Sequence, residues 1–174
     1  ELLLISKGMT GITSTSPLKP RVSLIGCGAW GKNLARNFAE LGSLVAVCDT
    51  DPQKAKTISL EYGVSVLTED QLFTHVEIDA VVIASLAPFH ARQAEQALKA
   101  GKHVYIEKPM ALSVTDAKNL CALAKAHNRV LMIGHILHYH PAFMALKERL
   151  PELGSLKHIY ANRLALGRFR RQES

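Results

Sequence analysis

The segment Val22-Ser-Leu-Ile-Gly26-Cys-Gly28-Ala-Trp-Gly31 constrains this chain more than any other. Val22–Ile25 is a short apolar run that ends in glycine, the pattern of a strand buried on both faces of a parallel sheet. Gly26, Gly28 and Gly31 then fall at G-x-G-x-x-G spacing. Apolar residues at Leu34, Ala35, Phe38, Ala39 and Leu41 follow on one face of a helix closed by Gly42. Glycine spacing alone is a weak signal, but a strand before it and a helix after it supply the required context. Gly26 permits the tight turn, Gly28 lets the backbone approach a pyrophosphate, and Gly31 lets helix and strand pack closely. The helix N-terminus then faces the phosphates with its unpaired N–H groups.

A second buried strand, Leu44–Cys48, ends at Asp49, 18 residues beyond Gly31. There a carboxylate accepts hydrogen bonds from the ribose hydroxyls of NAD. Asp49-Thr-Asp51 contains no arginine, so a 2′-phosphate meets two negative charges that Lys54 offsets only in part. NAD is the expected cofactor, ahead of NADP.

Strand and helix patterns keep alternating. A helix is predicted over Pro52–Tyr62, with Asp51 as N-cap and Gly63 as terminator. A strand at Val64–Leu67 and a brief helix capped by Thr68 over Thr68–Phe73 come next. They are followed by an apolar strand at Asp79–Ala84 and a helix from about His90 to Ala100 that stops at Gly101. Val104–Ile106 is a strand, Ser113 opens a helix to Asn128 with a capping-box-like Ser113-Val-Thr-Asp116, and Val130–Ile133 completes the series. Parallel neighbours need crossover helices, so this order predicts an α/β fold with a doubly wound parallel sheet of the Rossmann type. The organisation read from the pattern is a flexible lead-in over 1–20, rich in Ser, Thr, Gly and Pro from Thr10 on, and an NAD-binding domain over 21–141. Residues 142–174 form a connecting helix and the start of a truncated second α+β domain. In that last part Ala142–Leu150 is an amphipathic helix ended by Pro151, and Leu156–Leu166 alternates loosely in the manner of a strand.

Composition narrows the classes. With 48% apolar and 21% charged residues a packed core is expected. No apolar run is long enough to span a bilayer, and Leu2–Ile5 is too short for a signal-peptide core, so the chain reads as soluble and cytoplasmic, without a membrane partner. Cys27, Cys48 and Cys121 stand alone in apolar stretches with no Cys-x-x-Cys pair, and read as reduced buried thiols. The net charge of +6 owes much to Arg163, Arg168, Arg170 and Arg171; of the aromatics, only Phe169 is interleaved there, so a solvated tail is expected and no nucleic-acid partner.

Ligands of open α/β sheets bind beyond the carboxyl ends of the strands. Three further segments fall there: Ser85–His90, Glu107-Lys108-Pro109 and Gly134–Pro141. Lys108 follows a buried strand directly and is either a solvated surface lysine or a group that hydrogen-bonds a substrate hydroxyl and helps move its proton. His135, His138 and His140 lie on a strand-to-helix turn with no acidic residue close in sequence. They are read as polar lining of a substrate pocket in preference to a zinc site, and no metal is expected. His90 opens a helix after Pro88, and its loop position favours a cofactor or substrate contact over a surface cap. Trp30 is either helix packing or a flat wall against the cofactor.

Together these segments resemble the Gfo/Idh/MocA family of NAD(P)-dependent oxidoreductases, over about Arg21 to Gly167. The strongest marks are Gly26–Gly31, Glu107-Lys108-Pro109 and Gly134-His-Ile-Leu-His-Tyr-His-Pro-Ala142. Gly28-Ala-Trp-Gly-Lys-Asn-Leu-Ala-Arg-Asn-Phe38 and Tyr139-His140-Pro141 are similar to the branch acting on nucleotide-linked sugars. That branch includes UDP-N-acetylglucosamine 3-dehydrogenases and UDP-N-acetyl-2-amino-2-deoxyglucuronate dehydrogenases of surface-polysaccharide synthesis. The resemblance implies hydride transfer between a sugar carbon and C4 of the nicotinamide, with Lys108 on the reacting hydroxyl. It implies that Ser85, His90 and Glu107 line the cofactor beside Gly26, Gly28, Ala29, Trp30, Gly31 and Asp49, and that His135, Tyr139 and His140 meet a small-molecule substrate, a nucleotide sugar. Many members carry an arginine in the segment here occupied by Ile136–His140, and this chain has none there. The family's acid/base histidine belongs to a second domain, beyond Ser174, and the full-length form is expected to be a homo-oligomer. The chain is thus expected to be the cofactor-binding part of a sugar-nucleotide dehydrogenase; the competing reading is a non-catalytic NAD-binding or interaction module.

Overall fold

In a computed structural model that describes residues 19–162, the expected doubly wound sheet is present. Its strands are β1 (Val22–Ile25), β2 (Leu44–Cys48), β3 (Ser65–Val66), β4 (Ala80–Ile83), β5 (His103–Ile106) and β6 (Leu131–Ile133). They pair in the order β3-β2-β1-β4-β5-β6, all parallel. The helices are α1 (Gly31–Glu40), α2 (Pro52–Tyr62), α3 (Glu69–Thr74), α4 (Ala87–Lys99), α5 (Val114–Ala126) and α6 (Pro141–Arg149). The chain leaves β1 in one direction along the sheet for β2 and β3, then returns to the other side of β1 for β4. The switch point therefore lies between β1 and β4, where crevices form in such sheets.

Register brings the strand ends into line. Ile25 is opposite both Cys48 and Ile83, Ile83 is opposite Ile106, and Ile106 is opposite Ile133. Residues just beyond these ends, 26, 49, 84–85, 107 and 134, thus share one edge.

Alternation along the strands divides the core into two clusters. Leu24 and Val82 join Val22, Ala35, Val47, Ala55 and Ile58, which brings in α1 and α2. Ile25, Val81, Ile83, Val104 and Ile106 join Leu72, Phe73, Ala94, Leu98, Leu120 and Ala124, which brings in α3, α4 and α5. A period of two on each buried strand is what sends neighbours to opposite faces. Within β1, Ser23 is fully buried and its Oγ has no hydrogen-bond partner. Ser23→Ala is therefore expected to stabilise the fold by about 1 kcal/mol, since it removes an unpaid desolvation cost. A fall in melting temperature would show that the hydroxyl holds a partner.

Caps account for most helix boundaries. Asp51 accepts from the Gln53 amide at 3.0 Å, Pro52 stands in the first turn, and Gly63 ends α2 with φ 67°. Thr68 and Gln71 form a full reciprocal box on α3. At α5 the pattern is different. Ser113 Oγ accepts from the Asp116 amide at 3.0 Å and donates to Asp116 Oδ2 at 2.7 Å, because the shorter aspartate meets the hydroxyl where a glutamate reaches the backbone. α4 begins at Ala87, ahead of the sequence-based start near His90. Pro88 is at home in a first turn, where its missing N–H costs nothing.

Contacts divide the chain into a unit ending at His135 and a second from Ile136, ahead of the expected boundary at 141/142. In the second unit a 3₁₀ turn over Ile136–Tyr139 precedes α6, and another over Leu150–Leu153 contains Pro151. α6 buries none of its residues, and Phe143, Met144 and Leu146 are exposed. The strand expected at Leu156–Leu166 is not formed over 156–162, where the backbone pairs with no strand among the described residues. Its remainder, the lead-in up to residue 18 and the arginine-rich tail lie outside the described residues. Among the described residues, no helix is long and apolar enough to cross a membrane.

Candidate cofactor site at the strand ends

The three glycines of the loop differ in what surrounds them. Gly26 has φ 96°, and a Cβ there would lie 2.5–2.6 Å from the Ala84 carbonyl and the Ser85 amide nitrogen. A Cβ on Gly31 would overlap the Gly26 carbonyl oxygen. These two are demanded by the fold itself. Gly28 is not, for a Cβ there meets nothing within 4 Å. The open space lies beside the start of α1, whose N-cap position holds Trp30 and whose first turn carries no side-chain cap. The Lys32 and Asn33 amides already donate to the Gly28 and Trp30 carbonyls at 3.0 Å, so what favours an anion in this open space is the positive end of the α1 dipole, which no side chain caps. A side chain at Gly28 would occupy space that the bare backbone leaves open. These residues fit a bound dinucleotide phosphate.

Asp49, partly buried at the end of β2, is tied to this loop. Its Oδ2 accepts from the Cys27 amide at 2.6 Å and its Oδ1 from the Asp51 amide at 2.8 Å. Each carboxylate oxygen keeps further acceptor capacity, so both bonds fix the group without exhausting it. Lys54 lies 3.7 Å from Asp51 Oδ2 in a half-exposed pair, and its charge also acts on the Cys27 thiol beside Asp49. Ala29 and Trp30 are exposed, Trp30 at 45%.

Burial pushes the Cys27 thiol up to about 12, with Asp49 and then Cys48 adding to it. Burial likewise pushes Cys48 up to about 11, with Glu69 and Asp49 behind it. Cys121, read from sequence as buried, is exposed on α5. At pH 8 one thiol per chain is expected to react rapidly with a disulfide reagent and two only on unfolding, since the thiolate is the reactive form. Three rapid thiols would contradict this burial.

Other expected residues are placed differently from the sequence reading. The Ser85 hydroxyl donates to Gln93 Oε1 at 2.6 Å, and Gln93 in turn donates to Glu69, which also holds Arg92 at 2.8 Å. The Ser85 hydroxyl is thus tied into an internal network. His90 is only 2% exposed and is neither a surface cap nor a ligand-facing group: its Nδ1 lies 2.7 Å from Pro109 O and its Nε2 2.9 Å from Ser85 O. The reason is that α4 starts at Ala87, three residues ahead of the expected position, which places His90 in a helical turn and not in a loop.

Glu107 is buried. Its Oε1 accepts from the Tyr105 hydroxyl at 3.1 Å and its Oε2 from the Lys108 amide at 3.3 Å. A Cβ on Gly134 would stand 2.6 Å from Glu107 Oε1 and 2.7 Å from the Tyr105 hydroxyl. Gly134 opens one of the segments expected at the strand ends, but its packing against Glu107 is new, and Tyr105 lies outside those segments. Tyr105 was legible in principle, because residues two apart on a strand share a face. Lys108 is exposed, and its bond to Pro109 is cis.

His135 is exposed just beyond β6. In the second unit Tyr139 is exposed, His138 makes an edge-on ring contact with Phe143 at 5.5 Å, and His140 caps α6 by accepting from the Ala142 amide at 3.2 Å. His140 therefore has a structural use that the sequence reading did not foresee. Among the described residues no group of three His, Cys, Asp or Glu side chains is arranged to hold a metal ion.

A family profile described as "Oxidoreductase family, NAD-binding Rossmann fold" matches residues 20–135. The chain belongs to this family, Gfo/Idh/MocA. Its cofactor is NAD. The inositol 2-dehydrogenase of Acidothermus cellulolyticus is 34% identical over 151 residues, covering 83% of this chain and 44% of the relative. The UDP-N-acetylglucosamine 3-dehydrogenase of Acidithiobacillus ferrooxidans is 34% identical over 146 residues, covering 83% of this chain and 45% of the relative. Among solved structures, the scyllo-inositol dehydrogenase of Lactobacillus casei with bound NAD(H) and scyllo-inositol superposes with a TM-score of 0.72 at 28% identity, over 77% of this chain and 41% of that one. The chain thus spans less than half the length of these Gfo/Idh/MocA relatives.

Proposed function

We propose that this chain is the cofactor-binding part of an NAD-dependent dehydrogenase that oxidises a hydroxyl-bearing carbon of a cyclic polyol or sugar, with a nucleotide-linked sugar as its substrate. The observation that carries the reading is the empty approach above Gly28, bounded by the uncapped start of α1 and by Asp49. The polyol-or-sugar class is supported by the relatives above, one named for inositol and one for UDP-N-acetylglucosamine.

In this reading the backbone of Gly26–Gly31 binds the pyrophosphate and Asp49 accepts from the ribose hydroxyls. Bound NAD supplies the hydride acceptor. Lys108, exposed at the same strand-end edge, donates a hydrogen bond to the reacting hydroxyl and helps hold its proton. Glu107, fixed by Tyr105 and Gly134, holds the backbone of that lysine through its amide. Exclusion of water and orientation of the sugar need a second wall, which this reading assigns to residues outside this chain.

The test is an NADH-production assay with inositols, UDP-sugars and dTDP-sugars, run on this chain and on a longer product of the same gene. The longer product is expected to turn over at least one of them and Lys108→Met to lower its kcat by about 100-fold or more; the short chain is expected to bind NAD without turnover. Equal turnover by both lengths, or an unaffected Lys108→Met variant, would remove the assignment.

A further inference from the structure

We propose that His90 is a positioning residue that couples the cofactor loop to Lys108. The imidazole is 2% exposed in the first turn of α4, and it bridges two segments of the strand-end edge. Nε2 lies 2.9 Å from the carbonyl oxygen of Ser85, and Nδ1 lies 2.7 Å from the carbonyl oxygen of Pro109. Ser85 stands against the glycine loop, since a Cβ on Gly26 would be 2.6 Å from its amide nitrogen. Pro109 is bonded directly to Lys108. One rigid ring therefore spans from the loop that meets the dinucleotide to the turn that carries the lysine.

Both partners are carbonyl oxygens, which only accept. Each of the two bonds needs an N–H on the ring, and a neutral imidazole has one. Neutral, the ring holds one carbonyl at a time; doubly protonated, it holds both. In either state both carbonyls contact the one buried ring at 2.7 and 2.9 Å, so a displacement of one moves the ring against the other. A ligand that shifts the Ser85 backbone changes what His90 offers to Pro109, and so changes the setting of Lys108. His90 acts through the lysine turn and touches neither cofactor nor substrate.

The inference rests on the cofactor reading above, and the test separates the two. ADP-ribose is the probe, because it fills the dinucleotide site but has no nicotinamide to reach Lys108. Lysines are dimethylated with ¹³C-formaldehyde, and the Lys108 resonance is assigned by its loss in Lys108→Arg. In the wild-type chain, saturating ADP-ribose is expected to move the Lys108 resonance. In His90→Leu and His90→Gln, affinity for ADP-ribose should stay within about threefold of wild type while the movement is lost. Should His90→Leu fail to fold, His90→Gln, which keeps a donor but cannot span both carbonyls, carries the comparison. Binding with an unchanged Lys108 response in a folded His90 variant overturns this proposal alone, as does a wild-type Lys108 that never moves. Failure of the wild-type chain to bind either ADP-ribose or NAD overturns the cofactor reading, and this proposal with it.

Discussion

Gly28→Val is expected to leave the fold standing and to cut NAD affinity by about 100-fold or more, roughly 2.7 kcal/mol. Gly31→Ala, a smaller change three residues on, is expected to do its damage to the fold. The contrast follows from what each new side chain meets. At Gly28 there is nothing within 4 Å, and only a ligand contests the space. At Gly31 even one methyl group overlaps the Gly26 carbonyl oxygen, so α1 must move off its strand. Overpacking of that kind costs about 3 kcal/mol, which lowers the melting temperature by on the order of 10 °C for a domain of this size. Calorimetric titration and thermal melts on the two variants measure both halves. A Gly28→Val chain that binds NAD normally would mean that the phosphates lie elsewhere.

NAD is expected to bind at least about 10-fold more tightly than NADP, and Asp49→Ala to close most of that gap. A unit charge pair 4 Å apart is worth about 4 kcal/mol at an effective dielectric constant of 20 and about 1 kcal/mol in water. A 2′-phosphate beside the partly buried Asp49 falls between these limits. Lys54, half exposed and 3.7 Å from Asp51, offsets it only in part. The variant is also expected to lose NAD affinity, because Asp49 anchors the Cys27 and Asp51 amides that shape the loop. Equal affinities for the two cofactors in the wild-type chain would overturn this account of Asp49. So would a preference for NAD that survives in Asp49→Ala.

What was legible in the sequence is what depends on local pattern. Buried parallel strands are short apolar runs, helices carry their own caps, and Gly26, Gly31, Asp51, Gly63, Thr68 and Ser113 act where their chemistry placed them. What was not legible depends on contacts between distant segments. His90 was read as facing a ligand because nothing local reveals that Pro109 and Ser85 close over it from two other loops. The Ser85 hydroxyl is drawn inward by Gln93, a residue whose burial no helical pattern announces. The packing of Gly134 against Glu107 and Tyr105 links two neighbouring strands and has no sequence signature beyond a glycine after β6. The alternation at Leu156–Leu166 misled for a related reason: a strand is defined by its partner, and residues 156–162 have none among the described residues.

The central claim is that a dinucleotide lies across the switch point of the sheet, over the Gly26–Gly31 loop. Its most direct test is an amide chemical-shift map of the ¹⁵N-labelled chain titrated with NAD. The largest changes are expected at Cys27–Gly31, Asp49–Asp51 and Ser85–Ala87, with saturation at one NAD per chain. Changes centred instead on the groove between α4 and α5, lined by Ala91, Glu95, Asn119 and Leu123, would contradict the account. So would a spectrum that NAD leaves unmoved.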